Sequence, residues 1–367
     1  MTADLETNEI LIFSTQSQSM QGHSPEMGTN HRSAPIFHQY GRLAIADFPG
    51  TVTQSPVPAT ESAAELTVTE ALGRRGFERR NSAEARAMKY DRPYQGMSWE
   101  GAPGAGPGPI HPPGEAMVAD RPHALSPAVG APLSARLTGR VAVGLVIVSG
   151  NQPHLQFSQA DQTLVVAEVQ NGLSFLANEA PRKDVTFVHD IQLLTVNAPE
   201  VTSGNDFDAY EAPWRDAALA QLGYASGDAG ATAYAEALRA LHGTDWAYVA
   251  FFTKYTLAHF AYARLGGPRL VMHFGNDGWG PDQIDRVFAH ETGHIFNAPD
   301  EYAQSGCNCG GAWGHFGEPN RNCATCAPGG GVKCIMQSND WAMCEATKLH
   351  LGYDGLPGRV YTKVPIA

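Results

Sequence analysis

The residues best suited to chemistry lie in one stretch, His290-Glu291-Thr-Gly-His294, followed by Ile-Phe-Asn297-Ala-Pro299-Asp300-Glu301-Tyr302. Two histidines at i and i+4 leave a helix on the same face, one turn apart. That placement suits two imidazole nitrogens on one tetrahedral Zn2+, at about 2.0–2.1 Å each. Glu291 stands beside the first histidine, where it can hydrogen-bond a water without ligating the metal. Such a trio can hydrolyse an amide: the metal polarises the carbonyl, and the glutamate takes a proton and passes it to the leaving amine. An ordinary amphipathic helix can also carry this pattern by chance, so its surroundings matter.

The following residues extend the pattern. Pro281 suits the first turn of the helix, and Ile284, Val287, Phe288 and Ile295 give it a buried stripe. The helix should end near Phe296, because Asn297 tolerates positive φ and Pro299 blocks continuation. The turn would bring Asp300 back towards the metal as a third ligand, with Glu301 a rival oxygen. At this point the sequence resembles the metzincin clan of zinc endopeptidases, whose signature is H-E-x-x-H-x-x-G-x-x-H or -D. Asn297 replaces the glycine, and Asp300 stands at the last-ligand position. Cys334-Ile335-Met336 resembles the clan's Met-turn, in which the Met336 thioether would form an apolar floor under the imidazoles. Some metzincins add a tyrosine ligand two residues on. Here that position is Ser338, which leaves Tyr302 and Tyr353 as substitutes.

The resemblance covers residues 137–367 and implies a zinc-dependent endopeptidase acting on protein or peptide substrates. It implies an α/β (α+β) fold, a twisted mixed sheet with an active-site helix and a small Cys-rich C-terminal subdomain. It also implies that Leu270, Val271, Met272, His273 and Phe274 form an exposed edge strand to which extended substrate adds. A last helix over Asn339–Leu351 would close the lower subdomain. Two alternatives stand beside this reading. One is a gluzincin-type peptidase using Glu318, although Gly317-Glu318-Pro319-Asn320 is a poor helix. The other is a non-catalytic zinc-binding protein on a degenerate peptidase scaffold.

All six cysteines fall between Cys307 and Cys344, in and around a Gly-rich insert at 303–334. A polar, Gly-rich stretch buries little core and calls for a staple. Cys307, Cys309, Cys323, Cys326, Cys334 and Cys344 can pair as three disulfides, one of them Cys334 with Cys344. Alternatively, the first four hold a second, structural Zn2+. Oxygens of Glu318, Asn320 and Asn322 could hold Ca2+. His189, in a strand, and His315, in the insert, read as ordinary polar residues.

The elements that position these groups follow a recognisable order. Arg140–Val148 is a near-continuous β-branched run, as expected for a strand buried on both faces. A helix follows over Ser158–Ala177, then a strand over Val185–Val196, helices over Trp214–Leu222 and Ala231–Leu241, and strands over Trp246–Tyr255 and Arg269–Phe274. That order implies an α/β sheet with right-handed crossovers. Residues 1–136 show little periodicity beyond a helical stretch over Ser62–Arg80. Gly101–Pro113 reads as a linker. This segment is expected to be a largely irregular pro-segment, delivery region or surface wrap, able to inhibit the enzyme intramolecularly.

Composition narrows the classes. With 367 residues, 43% apolar and 17% charged, there is ample material for a core. The longest apolar run, Val141–Val148, is far below the roughly 20 residues needed to span a membrane. A net charge of −12 argues against a nucleic-acid partner. The N-terminus lacks the pattern of a classical secretory signal, so export by another route is expected, with a cytoplasmic location the alternative.

Overall fold

A computed structural model of the chain describes residues 9–13, 34–47, 66–90, 92–100, 132–204 and 206–353. Among these, eight strands form one mixed sheet: β1 (Glu9–Phe13), β2 (Ile36–Tyr40), β3 (Leu43–Asp47), β4 (Gly139–Gly150), β5 (Val185–Val196), β6 (Trp246–Thr253), β7 (Ala261–Ala263) and β8 (Arg269–His273). Their spatial order is β1-β3-β2-β5-β4-β6-β8-β7. The middle five run parallel to one another. β3 and β1 close one end antiparallel, and β7 closes the other. As its β-branched run predicts, β4 sits mid-sheet and is buried from Val141 to Val148.

Among the described residues, seven α-helices accompany the sheet: α1 (Val68–Arg80), α2 (Ala83–Tyr90), α3 (Gln159–Glu179), α4 (Phe207–Gln221), α5 (Gly227–His242), α6 (Ile284–Ile295) and α7 (Glu345–His350). One core gathers α1, α3 and α6 on one face, with Phe288 and Met336 among its members. The other gathers α4 and α5 on the opposite face, with Trp214 and Leu238. α3 contacts both α1 and α6, so it is the backing against which the HExxH helix is seated. It starts on Ser158, whose hydroxyl and the Asp161 carboxylate form a reciprocal capping box.

Three elements differ from the sequence expectation. α4 starts at Phe207, ahead of Trp214, because Asp206 caps it and Pro213 is accommodated inside. The last helix is shorter than Asn339–Leu351. Residues up to Cys344 are coil around Met336, and Cys344 itself is the N-cap. Most consequentially, Leu270–Phe274 is not the sheet edge. β8 ends at His273 and is hydrogen-bonded to β6 on one side and β7 on the other, with Leu270, Val271 and Met272 fully buried. β7, only three residues long, holds the outer position; Ala-Tyr-Ala carries no periodic signal that marks it.

Residues 1–136 contribute more regular structure than their sequence advertises. β2 pairs with β5 and so continues the main sheet, while α1 packs on α3. Five-residue strands are too short for a periodic pattern to stand out. Beyond α2, residues 92–100 run beside the Met336 coil. Gly96 N–H donates to Asn339 O at 2.9 Å, and Asn339 N–H donates to Met97 O at 2.8 Å. Gly101–Pro113 lies outside the described residues.

Candidate metal centre

The two histidines are held from behind. His290 Nδ1 lies 3.0 Å from Ile335 O, and His294 Nδ1 lies 2.7 Å from Ala298 O. A carbonyl only accepts, so both Nδ1 atoms carry the proton, and both Nε2 atoms present lone pairs inward. Those Nε2 atoms are 3.0 Å apart. Asp300 Oδ1 completes the cluster, 3.1 Å from His290 Nε2 and 3.3 Å from His294 Nε2. All three residues are buried. Three inward lone pairs at this spacing repel unless a cation sits among them, which is the donor geometry of a metal ligand set.

The electrostatics agree. Burial opposes the charged form of His294, but the Asp300 carboxylate overrides it and carries the pKa up to about 9. Burial likewise opposes the Asp300 carboxylate, yet His294 and His290 hold it well below the usual range. The same carboxylate field that favours a proton on His294 Nε2 favours a cation among the three groups.

The chain reversal that delivers Asp300 is built as its residue types require. α6 gives way at Phe296, and Asn297 adopts φ +72°. The Asn297 side chain donates to Ser134 O at 3.0 Å. Gly266 N–H donates to His294 O at 3.0 Å, capping the helix end; a side chain there would press on Asn297 Oδ1. Asn320 donates to Asp300 O at 2.7 Å, tying the loop to the insert.

Met336 is fully buried beneath α6. A Cβ built on Gly293 would stand 2.7 Å from Met336 Sδ, so the glycine of HETGH is the recess into which the thioether fits. Glu291 is 5% exposed and close enough to act electrostatically on both His294 and Tyr302. Burial first, then Asp300, Glu291 and Glu100, push the Tyr302 phenol well above its ordinary value, and its hydroxyl bonds to Asp300. Tyr353 points elsewhere, donating to Leu176 O at 2.8 Å.

Several expectations do not converge on this cluster. Glu301 turns away, accepting from Thr347 at 2.8 Å and from Asn322 at 2.7 Å. Among the described residues Glu318 is not part of the donor group; its backbone pairs with Trp313. The side-chain N–H groups of Asn320 and Asn322 go to Asp300 O, Glu301 and Val332 O, and Asn322 Oδ1 accepts the Val332 N–H at 2.7 Å. Cys307 is bonded to Cys323 and Cys309 to Cys326, which leaves no four-cysteine zinc site there. Cys334 and Cys344 are free, so the third disulfide of the sequence reading is absent. His189 is a core residue, 3.0 Å from His38 Nδ1 and stacked on Tyr40, while His315 is exposed in the insert.

Sequence reasoning missed Trp99. Its ring centroid lies 5.4 Å from that of His290, and its indole donates to Ile335 O at 2.6 Å, the same carbonyl that holds His290. Trp99 walls the site without ligating it. Among the described residues, no carboxylate or imidazole from 1–136 joins the donor group.

No protein-family model matches the sequence, and no curated protein matches it. Among solved structures, the chain is similar to metalloproteinase-II from Bacteroides fragilis, at 11% identity and a TM-score of 0.28. The match covers 60% of this chain and 56% of that one, so it spans little more than half of the similar protein.

Proposed function

We propose that the chain is a zinc-dependent endopeptidase with His290, His294 and Asp300 as metal ligands and Glu291 as general base and acid. One observation carries this reading: His290 Nε2, His294 Nε2 and Asp300 Oδ1 converge while both Nδ1 atoms are committed to carbonyls. Two imidazoles and a carboxylate, leaving room for a further ligand, suit a catalytic zinc. When bound, that metal supplies Lewis acidity to a water and to the scissile carbonyl.

The remaining chemistry belongs to the chain. Glu291, next to the first ligand, takes the proton of the attacking water and returns it to the departing nitrogen. Tyr302, bonded to Asp300, keeps that carboxylate turned towards the imidazoles. Trp99 excludes water from one side of His290. β7, the last strand on its side of the sheet among the described residues, is the edge to which an extended peptide would add, in place of the predicted Leu270–Phe274.

The test is cleavage of an unstructured protein such as casein by wild type and Glu291→Gln, with zinc content measured on both. The expected result is retained zinc with activity reduced by at least about 100-fold. Equal activity of the two proteins sinks the reading.

A further inference from the structure

Behind the proposed zinc site lies a second cluster, built from residues that the first does not use. Glu301 and Cys334 are fully buried and Cys344 is 5% exposed. Their ligand atoms lie within 4.8 Å of one another, and the two sulfurs are not bonded together. Glu301 Oε1 is 3.0 Å from Cys344 Sγ. Thr347 Oγ1 stands 2.8 Å from Glu301 Oε1, 3.2 Å from Cys334 Sγ and 3.4 Å from Cys344 Sγ. Two sulfurs and two oxygens thus mark four corners. A tetrahedral site with metal–ligand distances of about 2.0–2.3 Å has edges of about 3.5 Å, so a few tenths of an ångström of expansion would admit an ion.

Burial first, then Cys344 and Glu301, push the Cys334 thiol well above its ordinary value, so a metal has to displace its proton, and backbone donors stand ready for the sulfur. Cys334 Sγ accepts the Cys344 N–H at 3.3 Å, and Cys344 Sγ accepts the Thr347 N–H at 3.3 Å. Backbone donors aimed at sulfur stabilise its anion and orient it as a ligand. Asn322 does the same for Glu301, donating to Oε2 at 2.7 Å. The groups that reach the Glu301 carboxylate are an amide, a hydroxyl and a thiol, all neutral. A fully buried carboxylate with only neutral partners is costly, and a cation would remove that cost.

We propose that Glu301, Cys334 and Cys344 bind a second, structural divalent metal of the zinc class, with Thr347 at the fourth corner. Two soft thiolates and one carboxylate select zinc, cobalt or cadmium over calcium or magnesium. On binding, two sulfur–metal bonds form and the two thiol protons leave to solvent. Glu301 directly follows Asp300, and Cys334 precedes Ile335, whose carbonyl holds His290. Glu301 N–H also donates to Met336 O at 2.9 Å. The second metal would clamp the Asp300 loop to the Met336 coil. This assignment stands independently of the peptidase reading.

The experiment is cobalt loading of the full chain, read by the thiolate-to-cobalt charge-transfer absorption, with zinc counted per chain on the zinc-loaded protein. The expected result is that band in wild type and in Asp300→Asn, its loss in Cys344→Ser, and two zincs per wild-type chain. One zinc with the band present supports this site and counts against the histidine site. Should Cys344→Ser fail to fold, wild type alone decides. Its two free thiols should resist a thiol reagent when metal-loaded and react after chelation. No band, combined with either a third disulfide by mass or thiols equally reactive before and after chelation, overturns the proposal.

Discussion

Gly293 separates the two imidazole-bearing turns of α6, and its missing side chain is what lets Met336 rise against the helix. Two effects compete in Gly293→Ala. Alanine gains about 1 kcal/mol of helix propensity over glycine. A Cβ at 2.7 Å from the sulfur of a fully buried methionine forces a shift in a packed core, typically about 1–3 kcal/mol. Overpacking should win, so the urea midpoint of Gly293→Ala is expected to fall, with weaker zinc retention; a rise would show that Met336 yields freely. At this scale the sequence is most readable. Residue types and spacing bring His290, Glu291, His294 and Asp300 to notice, and the positive φ of Asn297 follows from its tolerance for that region. What spacing cannot convey is which backbone carbonyls hold the imidazoles, since a carbonyl has no residue signature. Nor can it reveal Trp99, which arrives from almost two hundred residues upstream. Glu301 and Asp300 are chemically equivalent as letters, and only the path of the turn separates them.

Among the elements, α1 illustrates how one side chain fastens a helix and a strand together. Thr67 and Glu70 form a capping box, and the same Glu70 carboxylate bonds Arg42 at the tip between β2 and β3. Burial works against the Glu70 anion, but Arg42 and the Thr67 amide bring its pKa down to about 2. A carboxylate with a depressed folded pKa stabilises above its unfolded value, and that stability is lost as pH falls towards the folded pKa. The contribution is on the order of 2 kcal/mol, allowing for solvent at the one-third-exposed Arg42. Glu70→Gln should therefore destabilise the protein at neutral pH. The gap to wild type should close as pH drops from about 4 to about 2 in chemical denaturation. A gap independent of pH would mean the anion contributes nothing. Long elements with strong patterns, β4, β5, α3 and α6, are legible because many residues repeat one signal. β1, β2, β3 and β7 are not, because three to five residues cannot establish a period and their place depends on partners distant in sequence.

On the scale of the whole molecule, the boundary that the resemblance suggests at residue 137 falls inside a single sheet. β2 lies against β5, and a buried chain of polar contacts crosses with it. Arg80 pairs with Glu9, Ser174 donates to Glu9 at 2.7 Å, and His38 bonds both Ser174 and His189. Lower down, Lys89 pairs with Glu168, and Arg92 forks onto Asp285 at the start of α6. Removing one partner of a buried ion pair typically costs about 3–5 kcal/mol. A chain beginning at residue 137 would strand Glu168 and Asp285 and bare the edge of β5. Such a fragment is expected to aggregate or to lack fixed near-ultraviolet circular dichroism. A soluble, metal-binding fragment would instead make 137–367 a self-sufficient unit.

The same seam has a mechanical meaning. β4 and β5 are in register along their whole twelve-residue lengths, whereas β2 meets β5 through only His38 and Gln39. A load applied at the N-terminus would therefore reach its weakest backbone junction at β2, well before it could shear the central strands or disturb α6. Tension would load β1 first, through the Glu9 contacts to Arg80 and Ser174, and only then the short β2–β5 junction with its His38 contacts.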